Sequence, residues 1–232
     1  VWTGTQEAVA GGSSLIPYGW MLGRPAIADE RAQRAGTLQE EGEKMLAAAE
    51  YAGAQNRFAE ALRLDPTRLQ AFDRARLARY LQGDRRPLDI ASLVPDAATR
   101  ARLLAALAGR ELDAGRTPAA RGQVDQALAV APEAPAVQAV LAACLEAEGE
   151  EDAAAEAYAK AAEGAPQDLA IAAARFDFRV RRGEADAACR DHVALLQPRA
   201  AAEADPAVRV GLLEAYLLQG LSPDEVRRRL TK

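Results

Sequence analysis

Residues 99–132 read TRARLLAALAGRELDAGRTPAARGQVDQALAVAP, and residues 133–166 follow without a break as EAPAVQAVLAACLEAEGEEDAAAEAYAKAAEGAP. Laid over one another, the two stretches match turn residue to turn residue. Gly115, Gly149 and Gly183 stand 34 residues apart, and Pro132 and Pro166 keep the same interval. Alanine is so common in this chain that matching alanines carry little weight, and the glycines, prolines and large residues make the case. A period of this length belongs to stacked helix–turn–helix units. Thr117 and Pro118 stand where an N-cap and first helical residue would open the second helix of the first stretch. The chain is therefore expected to be all-α.

The repeat extends outward from this pair. Residues 35–66 supply Leu38, Gly42, Met45, Tyr51, Ala54, Phe58, Ala61 and Pro66 in the same phase. Residues 99–132 supply Leu104, Leu107, Ala108, Ala120, Val124 and Ala127, and residues 133–166 supply Leu141, Ala142, Leu145, Ala154, Tyr158 and Ala161. Two copies are degenerate. Residues 67–98 begin with Phe72 and Gly83, yet their second helix shrinks to PLDIASLVPD; residues 167–200 keep Gly183 and Ala188 but place His192 and Leu195 where an aromatic and a small residue are usual. About five units thus fill residues 35–200, and residues 201–232 form a capping helix pair in which Ser222, Pro223 and Glu225 make the start of a last short helix. Its polar tail, EVRRRLTK, suits the end of a stack.

These residues resemble the tetratricopeptide repeat family over roughly residues 35–231. The resemblance implies antiparallel helix pairs stacked in a right-handed superhelical solenoid, with the first helix of each pair lining a concave groove. At 100° per residue, repeat positions 4, 7, 8 and 11 face neighbouring helices and positions 2, 5, 9, 12 and 13 form the opposite stripe. That stripe reads Arg102, Ala105, Gly109, Leu112 and Asp113, then Ala136, Ala139, Ala143, Glu146 and Ala147, then Ala170, Ala173, Asp177, Val180 and Arg181. The candidate partner-binding residues of the groove are Ala105, Gly109, Leu112, Ala136, Ala139, Ala143, Ala170, Ala173 and Asp177. A wall of small side chains suits a helix or an extended apolar segment. A subset of the family holds a terminal carboxylate with lysine and asparagine at positions 5 and 9; this chain has neither there.

Residues 1–34 differ in kind. Both tryptophans, Trp2 and Trp20, lie here with Tyr18, and Gly11, Gly12, Ser13, Ser14, Pro17 and Gly19 interrupt any helix. They are read as an extended N-terminal arm whose aromatic residues dock on the solenoid, a partner or a membrane interface. The chain starts at Val1 with no apolar leader behind a basic start, so any targeting segment is expected upstream.

Composition narrows the function. Half the residues are hydrophobic and 27% are charged, so the chain can build a core. A net charge of -5 argues against general nucleic-acid binding. Arg74, Arg76, Arg79, Arg85 and Arg86 cluster in DRARLARYLQGDRRP with Asp73 and Asp84 among them, which reads as a helix face laced with ion pairs, or alternatively as a contact for an acidic partner or lipid headgroup. Cys144 and Cys189 lack metal or redox spacing and read as buried thiols. The single histidine, His192, sits at a core-facing position, and no phosphate loop, HExxH or calcium-ligand spacing occurs. Neither catalysis, cofactor nor metal is expected.

The leading expectation is a non-enzymatic adaptor that holds protein subunits of a larger assembly together, periplasmic or membrane-associated at a bacterial envelope, with the groove for one partner and the arm for another. The alternative is a chaperone that shields an apolar client segment in the groove before secretion or assembly.

Overall fold

The computed structural model of the chain describes residues 30–202 and 206–230. Every regular element among them is a helix. In order these are α1 (Glu30–Ala47), α2 (Tyr51–Leu64), α3 (Leu69–Leu81), α4 (Ile90–Leu93), α5 (Ala97–Asp113), α6 (Thr117–Val130), α7 (Pro135–Glu148), α8 (Glu151–Gly164), α9 (Leu169–Arg181), α10 (Ala185–Ala202), α11 (Pro206–Leu218) and α12 (Pro223–Leu230). Residues 30–34, assigned from sequence to the arm, are instead the opening of α1. ERAQR continues directly into the repeat and contains no glycine or proline to stop the helix. The rest of the arm lies outside the described residues. The chain divides into two compact units, the first containing residues 30–164 and the second residues 165–230.

One backbone turn recurs throughout. Ala49, Gly83, Gly115, Gly149, Gly183 and Gly220 all have positive φ, between 61° and 88°. Around each, the following N–H reaches back to the carbonyl five residues earlier, as Arg116 does to Glu111, and the left-handed residue's own N–H reaches three residues back, as Gly115 does to Leu112. This double closure satisfies carbonyls that a helix C-terminus leaves unpaired. An apolar contact normally bridges the residues flanking such a turn. In three of these turns an ion pair occupies those places instead: Arg79 with Asp84, Arg116 with Glu111 and Arg179 with Glu184.

The second kind of turn is marked by proline. Pro66, Pro95 and Pro132 directly follow the helix-ending residues Asp65, Val94 and Ala131, and Pro166 follows α8. Proline cannot continue a helix without losing a hydrogen bond. Asp96 then caps α5 by accepting from the Thr99 N–H at 2.7 Å, and Asp168 caps α9 by accepting from Ala170 and Ile171. The second helix of residues 67–98 is the single turn α4.

Within residues 30–164, α1 packs on α2, α5 on α6, α7 on α8, and α2 also on α3. Leu38, Phe58, Leu62, Phe72, Leu103 and Leu107 share one buried cluster, and Leu104, Val124, Val137, Val140 and Cys144 share another. Each large apolar side chain so buried contributes about 1.5–3 kcal/mol. Gly42 makes the α1–α2 contact possible, because a Cβ there would sit 2.7 Å from the Phe58 ring.

Residues 165–230 form their own core. Helix α10 packs on α9 and α11, and α12 packs on α11. Leu196, Val208, Leu212, Tyr216 and Val226 come together there. At Gly211 a Cβ would lie 2.7 Å from Leu196 and 3.0 Å from His192, so α11 approaches α10 at a point only glycine admits. Ser222 and Glu225 form the reciprocal cap of α12, and Arg229 lies over the Tyr216 ring at 5.2 Å.

The six equivalent turns generate a paired prediction. Ala49 is the one alanine among five glycines in a conformation that costs a residue with a Cβ about 1 kcal/mol. Ala49→Gly is expected to raise the denaturant midpoint with an unchanged slope, and Gly115→Ala to lower it by about 1 kcal/mol. No neighbouring atom lies within 4 Å of a Cβ at Gly115, so that loss would be backbone strain alone.

Candidate functional site

The structure separates the groove residues into two kinds. Ala105, Gly109, Ala139 and Ala143 are buried in the chain itself, with Ala105 and Ala143 only 1% exposed. The chain's own packing covers them. The physical reason is their size: short side chains let neighbouring helices close over them, as α7 does on α5. Leu112 and Ala136 are half-buried against the same cluster as Val137 and Val140. In the second unit Ala170, Ala173 and Asp177 are half-buried. Trp2, Tyr18 and Trp20 lie outside the described residues.

Exposed apolar surface occurs elsewhere. Among the described residues, the large hydrophobic side chains that remain exposed are Leu77, Tyr80 and Leu81 on α3 and Val210, Leu213, Leu217 and Leu218 on α11. Counting back from Gly83 and Gly220 as turn position 15, six of these seven fall at positions 5, 9, 12 or 13, the stripe opposite the core-facing one. Leu213, at position 8, adjoins them. Sequence reasoning applied the stripe to the three units after residue 98 and so missed both helices. The signal was present in LQAFDRARLARYL and PAVRVGLLEAYLL, each of which carries apolar residues on two faces.

Beside the α3 stripe lies a cavity of about 680 Å³ in the first unit. It opens where α4 is a single turn rather than a full second helix. Phe72, Leu107, Leu88 and Ile90 supply apolar lining, and Arg76, Arg79, Arg85, Arg86 and Arg110 supply charge. The run expected to lace ion pairs does so. Asp84 accepts from Arg79 at 2.8 Å and from Arg86 at 2.8 Å, while Arg110 pairs with Asp73 at 2.7 Å and Arg74 with Glu43 at 2.8 Å. The Arg86 guanidinium, its backbone N–H and Arg79 hold the Asp84 carboxyl well below the usual carboxylate range.

The titratable core groups are structural. Burial pushes the Cys144 thiol up to about 12 and also raises Cys189, so both stay protonated and unreactive. His192 is 7% exposed and stacks on Phe176 with ring centroids 4.4 Å apart. Burial lowers its pKa to about 4. Among the described residues no group of three or more His, Cys, Asp and Glu could hold a metal, and no helix is long and apolar enough to cross a membrane. Compared with known families and with characterised proteins, the chain matches no family model and no characterised protein.

Two measurements check these placements. Since the folded pKa of His192 lies below its ordinary 6.5, the unfolded chain binds the extra proton first and stability falls as pH drops from 6.5 towards 4. The loss reaches about 3 kcal/mol at the bottom of that window. His192→Leu is expected to remove that component of the pH dependence of thermal unfolding, leaving the slope due to carboxylates. At Ala139, 7% exposed, a glutamate would place a carboxylate inside the fold. Ala139→Glu is expected to cost about 3 kcal/mol or more in chemical denaturation.

Proposed function

We propose that this chain is a non-enzymatic adaptor of the tetratricopeptide kind, holding protein subunits together through the exposed stripes of its first helices. In this reading the helix pairs are antiparallel and stack with the right-handed superhelical sense of that family. What carries the proposal is the position of the exposed apolar residues: Tyr80 and Leu81 on one unit, and Leu217 and Leu218 on the other, repeat the same offsets from their turn glycines, and Leu77 and Val210 stand at two further positions of the same stripe.

Physical cost supports the reading. Apolar side chains that are roughly half exposed on otherwise well-packed helices leave much of their area in water, and clusters of them mark interaction sites. Two such faces, one on each unit, suit an adaptor, which engages more than one partner.

Native co-purification with mass spectrometry tests the proposal. Wild type is compared with Leu217→Ser/Leu218→Ser and with Leu77→Ser/Leu81→Ser, all exposed positions whose change should leave thermal unfolding within about 0.5 kcal/mol. Each pair is expected to weaken retention of one partner about tenfold or more, since truncating central apolar contacts costs over 1 kcal/mol apiece. Retention of every partner by both variants would exclude these faces as the binding surface.

A further inference from the structure

We propose that the cavity beside α3 is the receptor for an acidic peptide segment of a partner, one that brings carboxylates together with an aliphatic or aromatic side chain. The inference rests on the adaptor reading and names the chemistry of one partner.

The assignment follows from which charges are already neutralised. Asp84 is shared by Arg79 and Arg86, Asp73 is taken by Arg110 at 2.7 Å, and Glu111 is paired with Arg116. Two cations in the wall remain weakly engaged. Arg76 stands 3.9 Å from Asp73 with its side chain 60% exposed, a separation at which attraction across water is small. Arg85 makes no ion pair with the carboxylates of the wall and lies over the Tyr80 ring, 5.7 Å from its centroid. An arginine held against an aromatic face keeps its fork of N–H donors available for a carboxylate.

The remainder of the wall selects a peptide over a bare anion. Phe72 and Leu107 are buried beneath the opening, and Leu77 and Tyr80 stand exposed at its edge. An inorganic ion would leave that apolar surface uncovered, whereas a leucine or phenylalanine side chain would cover it. The Gln123 side chain, contributed by α6, also lines the cavity, and its Oε1 is buried without a hydrogen-bond partner. A buried acceptor in that state costs about 1–3 kcal/mol until a donor reaches it. A peptide N–H is such a donor. Carboxylate, apolar side chain and N–H occur together in an acidic peptide.

The chain as a whole carries a net charge of -5, so attraction for an acidic segment must be local to this wall and must weaken with salt. The full chain is titrated into a fluorescein-labelled peptide, GSEELFDELEGS, and into its counterpart with lysine for every acid. Tighter binding of the acidic peptide by about tenfold or more is expected, falling as salt rises. Arg76→Ala/Arg85→Ala should weaken it about tenfold and Gln123→Leu about fivefold, the ranges for a charge-assisted and a neutral hydrogen bond. Arg85→Gln leaves every ion pair described above intact and carries the same test should the double variant be destabilised.

Competition supplies the remaining arm. Inorganic phosphate at matched ionic strength should fail to displace the acidic peptide; displacement would overturn the inference in favour of a simple anion site. Equal binding of the two peptides, or an unchanged affinity in Arg85→Gln, would also overturn it. The adaptor reading would stand in either event, because it is judged by partner retention in the Leu217→Ser/Leu218→Ser variant.

Discussion

The left-handed residue that closes each first helix is the constraint on which the rest of the structure depends. A helix C-terminus leaves carbonyls unpaired, and six times among the described residues the same two backward hydrogen bonds satisfy them. Because the closure sets where the next helix begins, it also sets which residues face the neighbour. The turns at Gly115 and Gly149 stand 34 residues apart and are followed by helices with equivalent buried positions, Ala120 and Ala154, Ala127 and Ala161. Repetition of the backbone closure thus becomes repetition of the core. The ion pairs across three of the turns show that side-chain chemistry there can vary, even with the order of acid and base reversed between Arg79–Asp84 and Glu111–Arg116, while the backbone geometry stays fixed.

Small residues perform the second task, and their consequence runs against the first intuition about them. An alanine-lined stripe looks from sequence like a shallow wall for a ligand. In the folded chain the same alanines let helices come close, and closeness buries them. Ala105 and Ala143 therefore belong to the packing, whereas Leu77 and Leu217, at offsets from the turn that would line the same stripe, remain exposed. Exposed apolar surface sits where the stripe carries residues too large to be covered by their own neighbours.

The helical architecture was legible because glycine and proline mark turns whose physics is local. Pro66, Pro132 and Pro166 each stand just past the end of a helix, and the glycines supply a conformation other residues reach only at a cost. Ala49 escaped that logic, since alanine gives no sign that it will adopt the left-handed conformation; only its place relative to Gly83 suggests it. The beginning of α1 at Glu30 was hidden for a related reason, the absence of any punctuating residue between the arm and the repeat. The candidate site was less legible. Whether a residue in a repeating stripe is covered depends on how close the next helix lies, and that distance is a property of pairs of helices rather than of one.

The cavity shows the same dependence on what is missing. PLDIASLVPD was readable as an abbreviated helix, yet shortening an element says nothing by itself about what fills the space. Here the segment from Asp84 to Leu88 turns over α3, and Asp84 holds Arg79 and Arg86 in place. A single turn in place of a full second helix leaves an opening above Phe72 and Leu107, themselves buried, with arginines at its edge. Degeneracy in one repeat thereby creates a surface whose chemistry differs from every regular unit. A regular array presents the same face many times over, and discrimination between partners needs a place where the repetition breaks.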